Sequence, residues 1–256
     1  MDFEITIVKV IFLCFSGFVA AAVDAIAGGG GLINLPAILA AGVPPHFALG
    51  TNKFSSSFGA ITSAYTFTRS GKVFIPLMKF TVPCTLVGSV IGVITALKID
   101  QGFLQIIILV LVFATAIYTI IKKDFGNEDK FERLTRKSII QGCIFAFSLG
   151  FYDGFFGPGT GSFLIFLFIK IYGFDFTIAA GNSKVLNFVS NITSLVMFAI
   201  NGKIYYMLGI PIGLAMIVGA RVGSKIAIKN GAKVIKPIFV AIALVLTIKL
   251  LLDTFA

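Results

Sequence analysis

The chain has 256 residues, 57% hydrophobic and only 12% charged, with 28 Phe, 27 Gly and no Trp. A soluble domain of this size has no interior large enough for that much apolar surface, and roughly 25% of its residues would be charged. The mean hydropathy of +1.01 therefore makes the bilayer the chief solvent, and no polar stretch is long enough to build an extramembrane enzyme. The net charge of +10 comes from 21 Lys+Arg against 11 Asp+Glu. Most of it lies in short connections between apolar runs, where the positive-inside bias puts it, so nucleic acid is not an expected partner. The three cysteines, Cys14, Cys84 and Cys143, lie in apolar runs without metal-ligand spacing and read as packing residues. An acidic start, Asp2 and Glu4, precedes the first apolar run and argues against a cleavable signal peptide.

Apolar runs of spanning length, about 20 residues, occur near 5–27, 47–68, 73–97, 102–121, 138–156, 176–200, 204–228 and 234–252. Two shorter apolar pieces, Leu32–Ala41 and Ser162–Tyr172, follow glycine breaks at Gly28-Gly29-Gly30-Gly31 and Gly157-Pro158-Gly159-Thr160-Gly161. As helices they would cover about half of a ~30 Å hydrocarbon core. The charged stretch Lys122–Lys137 is too short to fold alone.

The two halves resemble each other. A shift of 131 places Gly50, Lys53, Ile61, Thr62, Ser63, Gly71, Lys72, Gly88 and Gly92 on Gly181, Lys184, Ile192, Thr193, Ser194, Gly202, Lys203, Gly219 and Gly223. A shift of 129 places Asp24 and Gly28 on Asp153 and Gly157. The expected organisation is a first transmembrane repeat over 1–121, a cytoplasmic linker over 122–137 and a second repeat over 138–256. The basic linker and the basic connection holding Lys225, Lys229, Lys233 and Lys236 both belong in the cytoplasm. Both can be there only if each pair formed by a long helix and the short piece after it makes an even number of crossings. The repeats are then inverted, and both termini lie outside. The fold class that follows is all-α: a polytopic membrane protein with two inverted repeats, each of four long helices plus a short Gly-interrupted half-helix. Secondary transporters are often built this way, with the site at the repeat interface.

Unwound backbone inside a bilayer is tolerated only beside protein or a wet cavity, so paired breaks point to a binding region. The helix N-termini after them would offer free N–H groups and the positive dipole end to an oxyanion; the plainer reading is a tight helix–helix turn. After the breaks come polar helices. Asn52, Ser56, Gly59 and Ser63 share one face of the first, and Lys184, Asn187, Asn191 and Ser194 one face of the second, so both stripes should face the bundle interior. Lys53 and Lys184 could hold substrate, pair with Asp24 or Asp153, or snorkel to an interface. Asp24 and Asp153, each four residues before a break, could relay protons, orient the glycine loop, or pair with the lysines. The candidate substrate-binding residues are Gly28, Gly29, Gly30, Gly31, Thr51, Asn52, Lys53, Gly157, Gly159, Thr160, Gly161, Asn182, Ser183, Lys184 and Asn187. The glycine spacings 88/92 and 219/223 are expected to allow close helix packing. Arg221 is expected to anchor at an interface or to gate anions, and His46 to be a solvated turn residue. No Ser/His/Asp set, HExxH or CxxC motif appears, no cofactor is implied, and the chain is not expected to be an enzyme.

The segment from Gly17 through Pro36 with its glycine run, Ala48-Leu49-Gly50-Thr51-Asn52-Lys53, and Ala180-Gly181-Asn182-Ser183-Lys184 resemble the TauE/SafE family, the sulfite-exporter group, over nearly the whole chain. The family's motifs map onto Gly28–Gly31, Thr51, Asn52 and Lys53, and onto Gly157, Gly159, Gly161, Asn182 and Lys184; Pro158 and Thr160 depart from a plain glycine run. The resemblance implies a multi-pass transporter of the bacterial inner membrane for a small sulfur-containing anion such as sulfite, thiosulfate or an organosulfonate. An anion channel, a cation or metal transporter using Asp24 and Asp153, and a scaffold without transport are the alternatives. The expected partners are the anion, the lipid bilayer and, as one option, a second copy of the chain.

Overall fold

The computed structural model describes residues 6–121 and 129–230. The apolar run near 234–252, with Lys233 and Lys236, lies outside the described residues, as do Asp2, Glu4 and the C-terminus. Within them the chain forms α1 (Ile7–Ala27), α2 (Gly31–Ala40), α3 (Pro45–Arg69), α4 (Ile75–Lys98), α5 (Gln101–Ile121), α6 (Arg136–Phe155), α7 (Thr160–Tyr172), α8 (Phe176–Ile200) and α9 (Tyr206–Asn230). Local chemistry marks many of the ends. Thr6 caps α1, Thr135 and Ser138 form a capping box on α6, and the Asp175 carboxylate accepts the Thr177 and Ile178 N–H groups at the start of α8. Pro45 opens α3 at the first helical position, where its missing N–H costs nothing.

Among the described residues, α1, α4, α6, α8 and α9 are long and apolar enough to cross a membrane. α3, at 25 residues, is long enough as well, but its polar stripe dilutes its hydropathy. The distribution of side chains is that of a protein in lipid. Ile7, Val8, Phe15, Ile200 and Met207 are exposed while Lys53, Asn182, Lys184 and Ser194 are buried.

The halves are interlocked. α1 packs chiefly on α9, and α4 on α6, so each half's outer helices clasp the other half. Gly88 and Gly92 of α4 lie against the backbone of Phe147 and Phe151, and Gly219 and Gly223 of α9 lie against Phe18 and Ala22. The two sets of contacts correspond under the sequence shifts. The turns after α3 and α8 also match bond for bond: Lys72 N–H donates to Phe67 O at 3.0 Å and Lys203 N–H to Phe198 O at 2.9 Å. Gly71 and Gly202 take left-handed φ values of 68° and 63° there. Gly50 near the start of α3 meets the Lys203 carbonyl, and Gly181 near the start of α8 meets that of Lys72. Hence α3 and α8 run antiparallel.

The two ends of the molecule can be told apart. At one, the Lys130 N–H donates to Gly173 O at 2.7 Å and Phe131 packs on Phe74 and Phe174, joining the linker to the α3–α4 and α7–α8 turns. At the other, Phe47 and Tyr205 stack with centroids 4.5 Å apart. There His46 is buried, with Nε2 3.1 Å from Ala96 O. This corrects the expectation of a solvated turn residue: the α4 C-terminus supplies a carbonyl that only the fold brings near. Tyr172 OH donates to Ser138 O at 2.7 Å, so the α6–α7 pair leaves and returns to the same end.

The close crossings make a prediction. Gly88→Ala or Gly219→Ala sets a methyl into a neighbouring backbone carbonyl and should cost about 1–3 kcal/mol, the range for overpacking. A lowered thermal midpoint of the purified protein in detergent would show it.

Candidate functional site

α1 ends at Gly28, which has φ 81° and donates its N–H to Asp24 O at 2.7 Å. α2 then starts after Gly30, which offers no side chain to cap it. α6 stops at Phe155, and α7 starts after Gly159 (φ 84°), again without a side-chain cap. The two breaks touch. Ser162 donates its N–H to Gly28 O at 3.2 Å and its hydroxyl to Ala27 O at 2.8 Å, while Ser183 Oγ donates to Gly161 O at 3.0 Å. A Cβ on Gly161 would stand 2.6 Å from Gly28 Cα, so any larger residue would drive the breaks apart. Two helix N-termini without side-chain caps therefore lie side by side, with their positive dipole ends close together.

Two ion pairs cross between the halves at this junction. Lys53 Nζ lies 3.0 Å from Asp153 Oδ2, and Lys184 Nζ lies 2.9 Å from Asp24 Oδ2. Lys184 also donates to the Asp24 carbonyl, and Ser190 Oγ donates to Asp153 Oδ2. The Gly30 N–H reaches Asp24 Oδ1 at 3.4 Å, so one carboxylate both neutralises a lysine and steadies a glycine loop. Snorkelling is ruled out, since Lys53 and Lys184 are 1% and 0% exposed. Desolvating four charges is costly and is offset only when each has its counter-ion close by. The pairs are unequal: the Asp24 side chain is 20% exposed and that of Asp153 only 2%.

Beside the pairs lies a cavity of about 40 Å³, lined by Asp24, Asn52, Lys53, Ser56, Asp153, Asn187 and Asn191 together with Gly28, Gly30, Gly31, Gly157, Gly159 and Gly161; Ala20, Ala21, Gly59, Ala60 and Met216 complete it. That space holds a few waters or a small ion. Of the sequence candidates, Gly29, Thr51, Thr160, Asn182, Ser183 and Lys184 do not line it. Thr51 and Asn182 occupy equivalent positions in a structural task. Thr51 Oγ1 accepts the Tyr205 N–H at 2.9 Å and Asn182 Oδ1 the Phe74 N–H at 2.8 Å, tying α3 to the turn before α9 and α8 to the turn before α4. Thr160 Oγ1 donates to Gly157 O at 2.7 Å inside the break. Asn34 was not among the candidates. Its Nδ2 donates to Asn52 Oδ1 at 2.7 Å, and its buried Oδ1 has no partner. A lone amide in the first turn of a ten-residue apolar helix was the signal available in the sequence.

The sequence profile described as "Sulfite exporter TauE/SafE" matches residues 13–250. The chain belongs to the TauE/SafE family. It is 36% identical over 253 residues to a "Probable membrane transporter protein" of Haemophilus influenzae, covering 99% of this chain and 98% of that one. It is 38% identical over 249 residues to "Probable membrane transporter protein ORF9" of Sinorhizobium sp, covering 94% and 92%. With "Probable membrane transporter protein YfcA" of Escherichia coli K12 it shares 36% identity over 245 residues, 94% and 89% of the two chains. No solved structure matches it. This TauE/SafE protein is thus a membrane transporter, and its apolar helices place it in the membrane.

The buried pairs of the TauE/SafE core make a second prediction. Lys53→Met leaves Asp153 buried without a counter-charge and should destabilise the protein by about 3–5 kcal/mol. Combining it with Asp153→Leu should recover much of that loss, because removing both charges is far cheaper than removing one. Thermal unfolding of the singles and the double forms the cycle; a double no better than its singles would contradict it.

Proposed function

We propose that this transporter moves a small sulfur oxyanion, with sulfite, thiosulfate and short organosulfonates as the class, by alternating access between two inverted repeats. The observation that carries the reading is the meeting of two helix N-termini without side-chain caps beside a cavity that is also lined by Lys53, Asn52, Asn187 and Asn191. Backbone N–H groups at a helix start, neutral amides and an ammonium are what an oxyanion needs in place of water. The family's description supplies the sulfur. The small cavity favours a compact anion over an aromatic sulfonate. Inversion of the repeats is supported by the antiparallel α3 and α8 and by the reciprocal contacts of the halves. In this reading the linker end faces the cytoplasm and both termini lie outside.

Charge balance suggests how transport could be driven. The two lysines and two carboxylates sum to zero, so an arriving monoanion leaves one uncompensated negative charge in a desolvated place. Protonation of one carboxylate restores neutrality, which couples a proton to each unit of anion charge. Because the cycle makes and breaks no covalent bond, catalysis has no part in it. A divalent cation in the same place would have to displace an ammonium from each aspartate, which makes the metal reading the weaker one.

The test is a panel of sulfur anions on purified protein by calorimetry, followed by uptake into proteoliposomes. Asn187→Ala should weaken binding of the preferred anion about tenfold or more, since hydrogen bonds to charged groups are worth about 1.5–3 kcal/mol. Uptake should rise with an inward proton gradient. Flux indifferent to pH would favour a channel, and displacement by divalent cations without any anion uptake would favour a metal transporter.

A further inference from the structure

We infer that a groove between the C-terminal parts of α3 and α9 is a binding site for the headgroup of an anionic phospholipid. The groove encloses about 700 Å³ and lies outside the central cavity, at the end of the molecule where α3 turns into α4. Its outer lip carries Arg69, Arg221 and Lys225, and among the described residues no carboxylate lines it. Its deeper part is apolar, formed by Ile61 and Ile217, and continues along α9 onto Leu214 and Val218, both 55% exposed. Tyr65 stands between the two zones, 63% exposed, and accepts a hydrogen bond from Arg69 Nη1 at 3.2 Å.

The order along the groove matches one kind of ligand. Cations at the lip suit a phosphate, Tyr65 sits where aromatic residues meet the headgroup layer, and the exposed aliphatics beyond it suit acyl chains. A free anion would leave the apolar part unused. α3 and α9 lie side by side and parallel here, Gly209 meeting Phe54 and Gly213 meeting Phe58, so the groove follows the bilayer normal as a lipid does.

The charge is not something the repeated scaffold requires. Under the shift of 131 the positions of Arg69, Arg221 and Lys225 correspond to Ile200, Val90 and Ile94. The equivalent face of α8 and α4 therefore has the same backbone plan and no cation at any of the three places. Three positive groups have been set into one copy of the surface only, and all three converge on one groove.

The experiment uses the full-length protein in detergent, given equal amounts of phosphatidylglycerol and phosphatidylcholine with the same chains, with bound lipid counted by native mass spectrometry. The expected result is selective retention of phosphatidylglycerol and a higher thermal midpoint with it. Arg221→Gln with Lys225→Gln should lower that retention about tenfold. Lys203→Gln, a cation removed from the opposite end, should leave it unchanged, and Arg221→Lys, which keeps the charge, should preserve it. If the double variant does not fold, Lys225→Gln alone carries the comparison. Equal retention of the two lipids, retention unaffected by the variants, or equal protection by inorganic phosphate would each overturn the assignment. The first two are also what a groove filled by the chain's own residues 231–256 would give. None of these outcomes depends on which anion the central cavity takes.

Discussion

Everything at the centre of this molecule depends on burying charge without leaving it alone. Two lysines and two aspartates are withdrawn from water, and each lysine is matched by the aspartate of the opposite half. Neither half could bury its own lysine unaided, because in both the carboxylate sits at the end of a helix that meets the other half's polar helix. The pairs join α1 to α8 and α3 to α6, and so fasten each helix that stops inside the bundle to the polar helix of the other half. The glycines complete this arrangement. Gly157, with φ 100°, has no side chain, and a Cβ there would lie 2.8 Å from the Lys53 ammonium, so the residue that lets the helix stop also leaves room for the charge that holds it.

The interlocking of the halves has a similar cause. A membrane offers helices no hydrophobic force toward one another, so close backbone approach and hydrogen bonds have to supply the association. The glycine pairs of α4 and α9 allow that approach, and Ser89 Oγ, donating to Ser190 O at 3.0 Å, adds a bond deep in the α4–α8 contact. Two apolar clusters, each drawing on both halves, surround the polar centre. The crossed ion pairs and the touching breaks, beside which the cavity lies, join the two halves at that centre.

The asymmetries stand out against this duplicated plan. Asp24 is partly exposed where Asp153 is sealed, Asn34 has no amide counterpart in α7, and a basic groove lies on one copy of a surface only. At these positions the correspondence between the two halves breaks down.

The sequence by itself determined the membrane class, because apolar content and run length answer to the bilayer and not to any partner. It also determined the helices, the two glycine breaks and the polar stripes of α3 and α8, since periodicity and backbone freedom are local properties. Paired lysines, aspartates and glycines at shifts of 131 and 129 were legible too, because they can be read off the chain without any contact. Only the tertiary structure decided that Lys53 takes Asp153 and Lys184 takes Asp24: two lysines and two aspartates can pair in two ways, and proximity across a hundred residues or more is not written in any local pattern. The same holds for the burial of His46, for Thr51 and Asn182 serving as ties between the halves, and for Asn34 reaching Asn52. Each depends on which turn of another helix arrives within about 3 Å, and that is settled by packing.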